Sequence, residues 1–389
     1  MSANYWASTQ CNNWLLDRPQ LELARKEDLK YATALECAAI GIFFSNLLST
    51  ICKRLNLRQR VVASANVFFR RFFAKNSYCA LDPFLVCATC VYVSAKVEES
   101  PIHIKSAVAE AARSFQEVGF RSMPTDNSSL AEMEFYLLEE MEFDMIVFHA
   151  YRSLVSMFDT YGNGRYVENF SLTGQQGVTG LGIEAEAFGV VKGLSSVEEK
   201  EAAGGSAEEG GIAKMTEFDQ PVLQMSWFVL NDAYKLDIPL MYPPYMVALA
   251  AIWLALTLHP GSCDTINASL QTMQHKRDSY GTNIQSILDN PNSTPAELLA
   301  ATKQEQPTPP SQEALTWFAS LNVSLPLLAE IVQEIISGYA LQKDVAGLIS
   351  DGPGMVALLE RMRESRRLDL LAKAREHSGS GTAERRAGR

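Results

Sequence analysis

A long run that is apolar on every side is the feature of this sequence that most restricts its fold. Residues 84–95 are apolar or small throughout, which is typical of a helix buried all round rather than of an amphipathic helix. Asp82 can accept hydrogen bonds from the first free amides of such a helix, and Pro83 stands where a missing N–H costs nothing. A strand of a parallel sheet gives a similar run, but this run is too long and its neighbours repeat at helical spacing. We therefore predict a central core helix.

Three charged residues close this helix: Lys96, Glu98 and Glu99. A lysine at a helix C-terminus agrees with the helix macrodipole, whereas each glutamate there opposes it by roughly 0.3–1 kcal/mol. One interpretation is a solvated helix end. The other is that the core helix delivers a charged cluster to a binding surface.

A later helix carries a carboxylate in an unfavourable place. The residues Ser129 to Glu132 have the pattern of a capping box and predict a helix that runs to about Met141. Glu134 lies inside the apolar stripe of this helix, where an unpaired carboxylate costs several kcal/mol. We therefore predict a cationic or hydrogen-bonding partner, for which Lys96 is the candidate. The alternative is that Glu134 lies at the frayed edge of the stripe.

Other helices are predicted around the core helix. Residues 36–55 and 58–75 have apolar side chains at i, i+3, i+4 and i+7, and a further helix is predicted over residues 102–120. Arg70 and Arg71 in the second of these are expected on a solvated face, with contact to a partner as the alternative.

The composition limits the classes of function. The net charge of −11 and the pI near 5.1 argue against a non-specific nucleic-acid binder, whose affinity depends on phosphate neutralisation. Seven cysteines show no disulfide or zinc spacing, so we expect buried thiols in a reducing compartment. No signal peptide is apparent, and the longest apolar run, residues 245–258, is too short to span a bilayer. We therefore expect a soluble intracellular protein.

The core helix has a second copy in the chain. Residues 83–96 read P-F-L-V-C-A-T-C-V-Y-V-S-A-K, and residues 244–257 read P-Y-M-V-A-L-A-A-I-W-L-A-L-T. This degenerate internal repeat predicts two copies of one helical bundle, each around a buried central helix. The closing charged cluster belongs to the first copy only.

The predicted organisation is all-α, with two tandem helical repeats. Residues 161–216 and 260–312 are polar and contain few large apolar side chains that could form a core, so they are predicted to be disordered insertions. The basic end of the chain predicts one marginal helix and a disordered tail, with nuclear import as a hypothesis for its charges. The predicted divisions are an N-terminal helical segment, a first repeat, a second repeat and a C-terminal tail, at residues 1–35, 36–147, 148–343 and 344–389.

Several segments together resemble the cyclin family, and most closely its C-type branch. They are N-Y-W-A-S-T-Q, L-R-Q-R-V-V-A-S-A-N-V-F-F-R-R-F-F-A, D-P-F-L-V-C-A-T-C-V-Y-V-S-A-K-V-E-E, E-F-Y-L-L-E-E-M-E-F-D, V-L-N-D-A-Y and L-M-Y-P-P-Y-M-V-A-L-A. The resemblance covers residues 2–158 and, more loosely, 218–343 outside the insertions. It implies two five-helix cyclin boxes, and a regulatory subunit without catalytic residues, cofactor or metal.

The resemblance also implies partners. C-type cyclins bind and activate a cyclin-dependent kinase of the Mediator complex and so regulate transcription by RNA polymerase II in the nucleus. The expected partners are therefore that kinase and the large Mediator subunits, with no direct contact to nucleic acid or membrane. The residues implied to bind the kinase are Lys96, Glu98, Glu99 and Glu134. The residues implied to line a second groove, between the two repeats, are Trp6, Asn231 and Asp232.

The chain departs from the cell-cycle cyclins at two positions. Those proteins carry an Arg and an Asp in the first and second helices of the box, where this chain has Gly41 and Arg70. The groove by which they dock substrate peptides is therefore not expected here.

Two other functions stay open at this point. The chain resembles a transcriptional cyclin, so a different kinase is an alternative partner. A protein of the transcription-factor-IIB type also has a double helical repeat, but it should have a basic face and usually an N-terminal zinc ribbon, and the sequence has neither. Catalysis is disfavoured because the five histidines are scattered and no glycine-rich phosphate loop follows a strand.

Overall fold

The computed structural model describes residues 4–122, 127–162, 215, 217–268, 270–271, 274–275 and 314–387. Every regular element within these residues is helical, as the sequence predicts. Short 3-10 turns lie at Tyr5–Ala7 and Asp28–Lys30.

The helices pack into two bundles. The first part of the chain comprises α1 (Thr9–Asn13), α2 (Arg18–Ala24), α3 (Ala34–Arg54), α4 (Gln59–Lys75), α5 (Pro83–Val97), α6 (Ile104–Glu117) and α7 (Ser128–Glu140), and α3 to α7 form the first bundle. The second bundle comprises α8 (Ala150–Tyr161), α9 (Gln220–Ala233), α10 (Ile238–Met241), α11 (Pro244–Leu258), α12 (Pro260–Ala268), α13 (Ala314–Ser320) and α14 (Leu325–Asp344). The chain then returns to the first bundle with α15 (Ala346–Ser350) and α16 (Gly352–Ala387).

Helix α5 is the centre of the first bundle. Its start is capped as predicted, because Asp82 accepts a hydrogen bond of 3.1 Å from the backbone N–H of Phe84. The helix packs against α3, α4, α6 and α7. Phe84 stacks on Phe120 with 3.9 Å between ring centroids and meets Phe44 edge-on at 5.0 Å. An aromatic cluster of this kind buries a large apolar area and fixes the helix among its neighbours.

Helix α11 has the same position in the second bundle. It packs against α8, α9 and α14, and its side chains are buried on all sides except at Tyr245, Trp253 and the C-terminal end. Both all-round apolar runs are therefore central helices, because neither run has a polar face to turn towards water.

Helix α3 also has the length and hydropathy of a membrane span, with a mean hydropathy of 1.6 over its most apolar window. However, 67% of that window is buried inside the first bundle, as is expected of a core helix.

Helix α7 begins two residues earlier than the capping-box prediction requires, because a cap at Ser129 would make Leu130 the first helical residue. Its first residue is Ser128, and the preceding Asn127 makes no side-chain cap bond. Ser129 is therefore already inside the helix, so the prediction of a capping box from Ser129 to Glu132 is wrong. The pattern of residues is present, but neither Ser129 nor Glu132 stands at the position of the helix that a capping box requires.

The two predicted insertions lie largely outside the described residues. At the first insertion, the N–H of Met215 donates to the carbonyl of Tyr161 at 2.8 Å, so these two described residues are neighbours in the second bundle. At the second, residues 260–268 form α12, and the predicted insertion at 260–312 therefore starts too early.

The C-terminal residues differ from the prediction of a marginal helix and disordered tail. They form α16, whose first half packs on the first bundle. Gly352 approaches Val118, and Pro353 lies against Gly119, whose φ of 91° favours glycine. The buried side chains of α16 are Met355, Val356, Leu358, Leu359 and Met362. The sequence of α16 shows its apolar residues, but the surface that receives them is formed by residues distant in the chain.

Candidate functional site

Lys96 and Glu134 meet on the surface of the first bundle. Lys96 Nζ donates to Glu134 Oε1 at 2.6 Å, so the predicted pairing of these two residues is confirmed. The ammonium group also lies 4.2 Å from the centre of the Tyr92 ring. Partial burial opposes the charge of Lys96, but its bonds with Glu134 and Tyr92 outweigh that effect and raise its pKa.

The pair joins the end of one helix to the middle of another. Lys96 belongs to the last turn of α5, and Glu134 belongs to α7, which packs along α5. The lysine side chain is 43% exposed, whereas that of Glu134 is only 16% exposed, so the pair gives a largely buried carboxylate the partner that it needs. The pair also holds the ammonium group of Lys96 in a fixed place on the surface.

Large apolar side chains are exposed on α7 and just after it. On α7, Phe135 follows Glu134 directly and is 73% exposed. After α7, Phe143 is 71% exposed and Ile146 is 65% exposed. Large apolar residues that are exposed in one part of the chain are typical of a protein interface. These residues were not predicted from the sequence, although Phe135, an aromatic side chain off the apolar stripe of α7, was a usable signal.

The backbone that carries Phe143 is strained. Glu142 and Phe143 have φ values of 53° and 62°, a left-handed conformation that is unfavourable for residues other than glycine. Hydrogen bonds from Phe143 N–H to Leu138 O and from Lys75 Nζ to Glu142 Oε1 hold the turn, at 3.0 and 2.6 Å. Strained backbone that is held in this way is common at functional sites.

Glu98 and Glu99 do not join Lys96 and Glu134. The carboxylate of Glu98 turns inward, with its side chain 12% exposed, and it accepts a 2.6 Å hydrogen bond from Ser64 Oγ. His149 Nε2 lies 3.2 Å from the same carboxylate oxygen. Glu99 is exposed and has a φ of 51°.

The pKa of Glu98 reflects this buried environment. Burial alone raises the pKa, but the hydrogen bond and charge of His149, the hydroxyl of Ser64 and the charge of Arg60 together lower it below its usual value. His149 in turn contacts the hydroxyl of Tyr234 at 3.2 Å. Glu98 therefore belongs to a polar cluster that connects the first bundle with the second.

The residues of the predicted groove lie at two places. Asn231 Oδ1 accepts from Gln59 Nε2 at 2.9 Å and from Tyr151 OH at 2.8 Å, so it connects the two bundles. Asp232 accepts from Lys235 Nζ at 2.9 Å. Trp6 is 45% exposed.

Trp6 packs on the start of α11, because its ring lies 5.7 Å from that of Tyr245. The structure therefore brings Asn231 and Asp232 together on α9 and places Trp6 at a different helix end.

The prediction that Arg70 and Arg71 are exposed is wrong. Arg70 is 9% exposed and forms an ion pair with Asp237 of the second bundle. Arg71 is 1% exposed, donates to the carbonyl of Asp144 at 2.9 Å and lies over the ring of Trp14. Burial lowers the pKa of Arg71 to about 10. Both guanidinium groups find partners from distant parts of the chain, which the periodicity of α4 cannot reveal.

Among the residues that the structure describes, no cluster of three or more His, Cys, Asp or Glu side chains is arranged to hold a metal ion. Cys87 and Cys90, which form a C-x-x-C sequence, are free thiols buried in α5, and burial raises the pKa of both.

Comparison with known proteins finds cyclins and cyclin-like subunits, both by family model and by sequence identity. The family model described as the N-terminal domain of cyclins matches residues 42–146. The chain is 71% identical over 386 residues to the RNA polymerase II holoenzyme cyclin-like subunit of Mycosarcoma maydis, and the alignment spans 95% of this chain and 98% of that protein. It is 27% identical over 349 residues to Cyclin-C of Drosophila melanogaster, and that alignment spans 88% of this chain and 91% of the relative.

The fold was also compared with solved structures. A chain in the CAK complex of Chaetomium thermophilum bound to ATP-gamma-S aligns with a TM-score of 0.49 and 14% identity, covering 96% of this chain and 94% of that one.

Proposed function

Because this chain belongs to the cyclin family and is cyclin C-like, we propose that it is the subunit that binds and activates a cyclin-dependent kinase of the Mediator complex. Cyclins are regulatory, non-catalytic subunits, so the function of this chain is to bind and not to transform a substrate. Membership of the family also removes the alternative of a DNA-binding protein of the transcription-factor-IIB type.

The setting of this activity is inferred from a relative. The 71% identical protein is named as a subunit of the RNA polymerase II holoenzyme. We therefore propose that this chain regulates transcription by RNA polymerase II and acts in the nucleus. Large Mediator subunits are the proposed second partners, at the inter-bundle residues Asn231 and Asp232 and at Trp6.

The observation that carries the kinase proposal is the Lys96–Glu134 pair, together with the exposed Phe135 on the same helix as Glu134 and the exposed Phe143 just after that helix. The aromatic side chains supply apolar area, and the charged pair supplies orientation and specificity. Together they form part of an interface of about 1,600 Å² or more, the usual size of a specific complex. Glu99, which is exposed three residues after Lys96 in the chain, is proposed as a peripheral contact.

Glu98 has a different proposed part in this interaction. Since its carboxylate bonds to Ser64 and His149, it is unavailable to a kinase in this arrangement. We propose that it supports the end of α5, and so the position of Lys96, from within the protein.

Activation then follows from differential binding. The C-helix of a kinase has an inactive and an active position. The kinase's own Lys–Glu pair, which holds ATP, forms only when this helix is in the active position. A cyclin that binds only the active position shifts the equilibrium by its difference in affinity for the two. Raising the active fraction of the kinase from about 1% to about 99% requires that the cyclin bind the active state about 5.5 kcal/mol more tightly than the inactive state. An interface of the proposed size can supply this difference in binding free energy.

Charge reversal of the surface pair tests the proposal. This chain is co-expressed with a Mediator-type cyclin-dependent kinase, and the co-purified kinase and its activity are measured. Lys96→Glu should reduce both strongly, and Lys96→Gln, which keeps a hydrogen-bond donor for Glu134, should reduce both as well while the melting temperature confirms that each variant is folded. Arg54→Glu is the matched control, since Arg54 pairs with Glu117 on α6, away from Lys96.

The outcomes separate the alternatives. Full recovery of active kinase with Lys96→Glu would show that this surface is not the kinase contact. Selective binding of a different cyclin-dependent kinase, in a panel that includes the Mediator-type enzyme, would support the alternative transcriptional cyclin.

A further inference from the structure

The short helix α1 turns one face towards the chain that follows α7. Its residue Gln10 and its C-cap residue Trp14 are four positions apart, so their side chains lie on the same side of the helix. Both are buried, at 4% and 3% exposed, whereas Thr9, Asn12 and Asn13 are exposed. One face of α1 is therefore covered by the body of the protein.

Gln10 bonds to the backbone just before α8. Its side-chain oxygen accepts from the N–H of Phe148 at 2.6 Å, and its side-chain nitrogen donates to the carbonyl of the same residue at 3.5 Å. Phe148 is buried and precedes the first residue of α8 by two positions. Because buried backbone groups need hydrogen-bond partners, Gln10 fixes the chain at this point.

Trp14 bonds to the chain four residues earlier. Its indole N–H donates to Asp144 Oδ2 at 3.0 Å, and the side-chain amide of Asn13 donates to the same oxygen at 3.3 Å. Asp144 directly follows Phe143, one of the residues with a left-handed backbone after α7. Residues 142–148, which we call the presenting segment, are thus held by α1 and its C-cap at two points.

Two cations that pack on Trp14 also hold this segment. The guanidinium of Arg71 and the ammonium of Lys75 each lie 4.9 Å from the centre of the indole ring. Arg71 donates to the carbonyl of Asp144 at 2.9 Å, and Lys75 donates to Glu142 Oε1 at 2.6 Å. The residues on both sides of the exposed phenylalanine are therefore bound by cations that contact the tryptophan.

We propose that α1 is a clamp that holds the presenting segment in the conformation that binds the kinase, with Gln10 and Trp14 as positioning residues. This inference rests on the proposed kinase contact at Phe143. A left-handed backbone at a residue other than glycine persists only where surrounding contacts fix it. The contacts of α1 fix the segment directly after the left-handed turn and again at its end.

A purely structural role for Trp14 is the alternative, because its ring also packs in the core of the first bundle. The exposed side chains of the presenting segment favour positioning. A clamp that served only stability would be expected to bury the side chains that it fixes, but Phe143 and Ile146 stay 71% and 65% exposed. Side chains that are held in place before binding lose less freedom when a partner covers them.

Two substitutions release the clamp at different points. Trp14→Phe keeps an aromatic ring under the two cations but removes the N–H that bonds to Asp144. Gln10→Ala removes both bonds to the backbone of Phe148. Asn12→Ala, at an exposed position of the same helix, is the matched control. Thermal melting checks that each variant is folded.

Hydrogen exchange of the free protein, followed by mass spectrometry, tests the clamp without the kinase. In the peptide that spans residues 142–147, the N–H groups of Phe143, Asp144 and Met145 bond to backbone carbonyls and not to α1. Their exchange therefore reports the conformation of the segment. We expect Trp14→Phe and Gln10→Ala each to accelerate this exchange at least about tenfold, with no change in peptides from α5 or in the control variant.

Kinase affinity tests the function of the clamp. Binding of a Mediator-type cyclin-dependent kinase to the full-length protein should weaken about fivefold or more in each clamp variant and stay unchanged in the control. The same substitutions are then made in a protein that already carries Phe143→Ala and Ile146→Ala. Because the clamp acts through these two side chains, its loss should then change affinity by less than about twofold.

Several results would overturn the proposal. Unchanged exchange in both clamp variants would show that α1 does not hold the segment, and equal acceleration in α5 would show a general loss of stability. Unchanged kinase affinity in the clamp variants, while Phe143→Ala weakens it, would leave the clamp without a function in binding. Full kinase affinity with both Phe143→Ala and Ile146→Ala would overturn the proposed kinase contact itself, and the exchange measurement would still decide whether α1 holds the segment.

Discussion

Arg70 of α4 and Asp237, just before α10, form an ion pair that connects the first helical bundle with the second. The guanidinium also donates to the carbonyl of Lys235 in the second bundle. Gly41 lies beside it, because a Cβ atom at that position would be 3.6 Å from one guanidinium nitrogen. The two departures from cell-cycle cyclins are therefore one feature: a small residue on α3 leaves space for an arginine that crosses the junction.

Loss of this arginine should weaken the junction between the bundles. Arg70→Met keeps most of the volume but removes the ion pair and the bonds to Lys235 and Asp237. Since Asp237 is half exposed and regains water, we expect the free energy of unfolding to fall by about 1–3 kcal/mol. Urea denaturation measures this change. Arg54→Met, at an exposed pair, is the control and should change stability by less than about 1 kcal/mol.

The residue at position 41 provides a further check on this junction. Gly41→Ala should be tolerated, because its Cβ would be at ordinary contact distance from Tyr78 and Arg70. Gly41→Leu should destabilise as Arg70→Met does, since the larger side chain needs the place of the guanidinium. Equal stability of the Leu and Ala variants would contradict this account.

The carboxylate of Glu98 should make stability depend on pH. Its pKa in the folded protein is below the ordinary value of 4.5, so its contribution to stability is fully present above pH 4.5 and is lost as the pH falls through the folded pKa. We expect Glu98→Gln to lower the melting temperature at pH 7. The difference from wild type should shrink as the pH is lowered below 4.5. A difference that stays constant from pH 7 to pH 3 would rule out this role of the charge.

Substitution of a buried and of an exposed phenylalanine should affect stability and kinase binding differently. Phe84 is 1% exposed in the aromatic cluster of α5, and Phe84→Ala should cost about 3–5 kcal/mol of stability. Phe143 is 71% exposed, and Phe143→Ala should leave the melting temperature nearly unchanged while weakening kinase binding. Melting curves and co-purification with the kinase measure the two effects. Unchanged kinase binding by the Phe143 variant would remove this residue from the interface.

Substitution of a buried and of an exposed leucine of α16 should change the free energy of unfolding by different amounts. Leu359 is buried against the first bundle, so Leu359→Ala should lower the free energy of unfolding by about 2–4 kcal/mol. Leu368→Ala, on the same helix but 54% exposed, should change it by less than about 0.5 kcal/mol. Chemical denaturation of both variants measures the difference. Similar values would mean that α16 is not docked as the structure shows.

The cysteines should be mostly inert in the native protein. Burial raises the pKa of Cys52 and Cys79 to about 12 and that of Cys37 to about 11, and thiols in this state react slowly because the thiolate is the nucleophile. In a thiol titration at neutral pH, we expect only the partly exposed Cys11 and Cys263 to react. All seven should react in denaturant. Rapid native reaction of more than two thiols would contradict the burial of the others.

Much of the fold could be predicted from local patterns. The two all-round apolar runs predicted central helices because no face of them tolerates water, and both are central helices in the structure. The pairing of Lys96 with Glu134 was predictable as well. A carboxylate inside an apolar stripe needs a partner, and few cations are available near the end of the core helix.

The parts that could not be predicted depend on residues far apart in the chain. The inward turn of Glu98 requires Ser64 and His149, which are 34 and 51 residues away. The outward Phe143 depends on a left-handed backbone that has no signature in its own side chain.

The sequence by itself determined an all-α protein with two repeated helical bundles and a charged pair at the end of the first central helix, because hydrophobic periodicity and the cost of an unpaired charge act locally. Only the tertiary structure decided that Arg70 crosses between the bundles and that the basic C-terminus is a helix docked on the first one. An arginine or an amphipathic helix carries the same local signal whether it faces water or a partner surface. Which of these it meets is set by the packing of the whole chain.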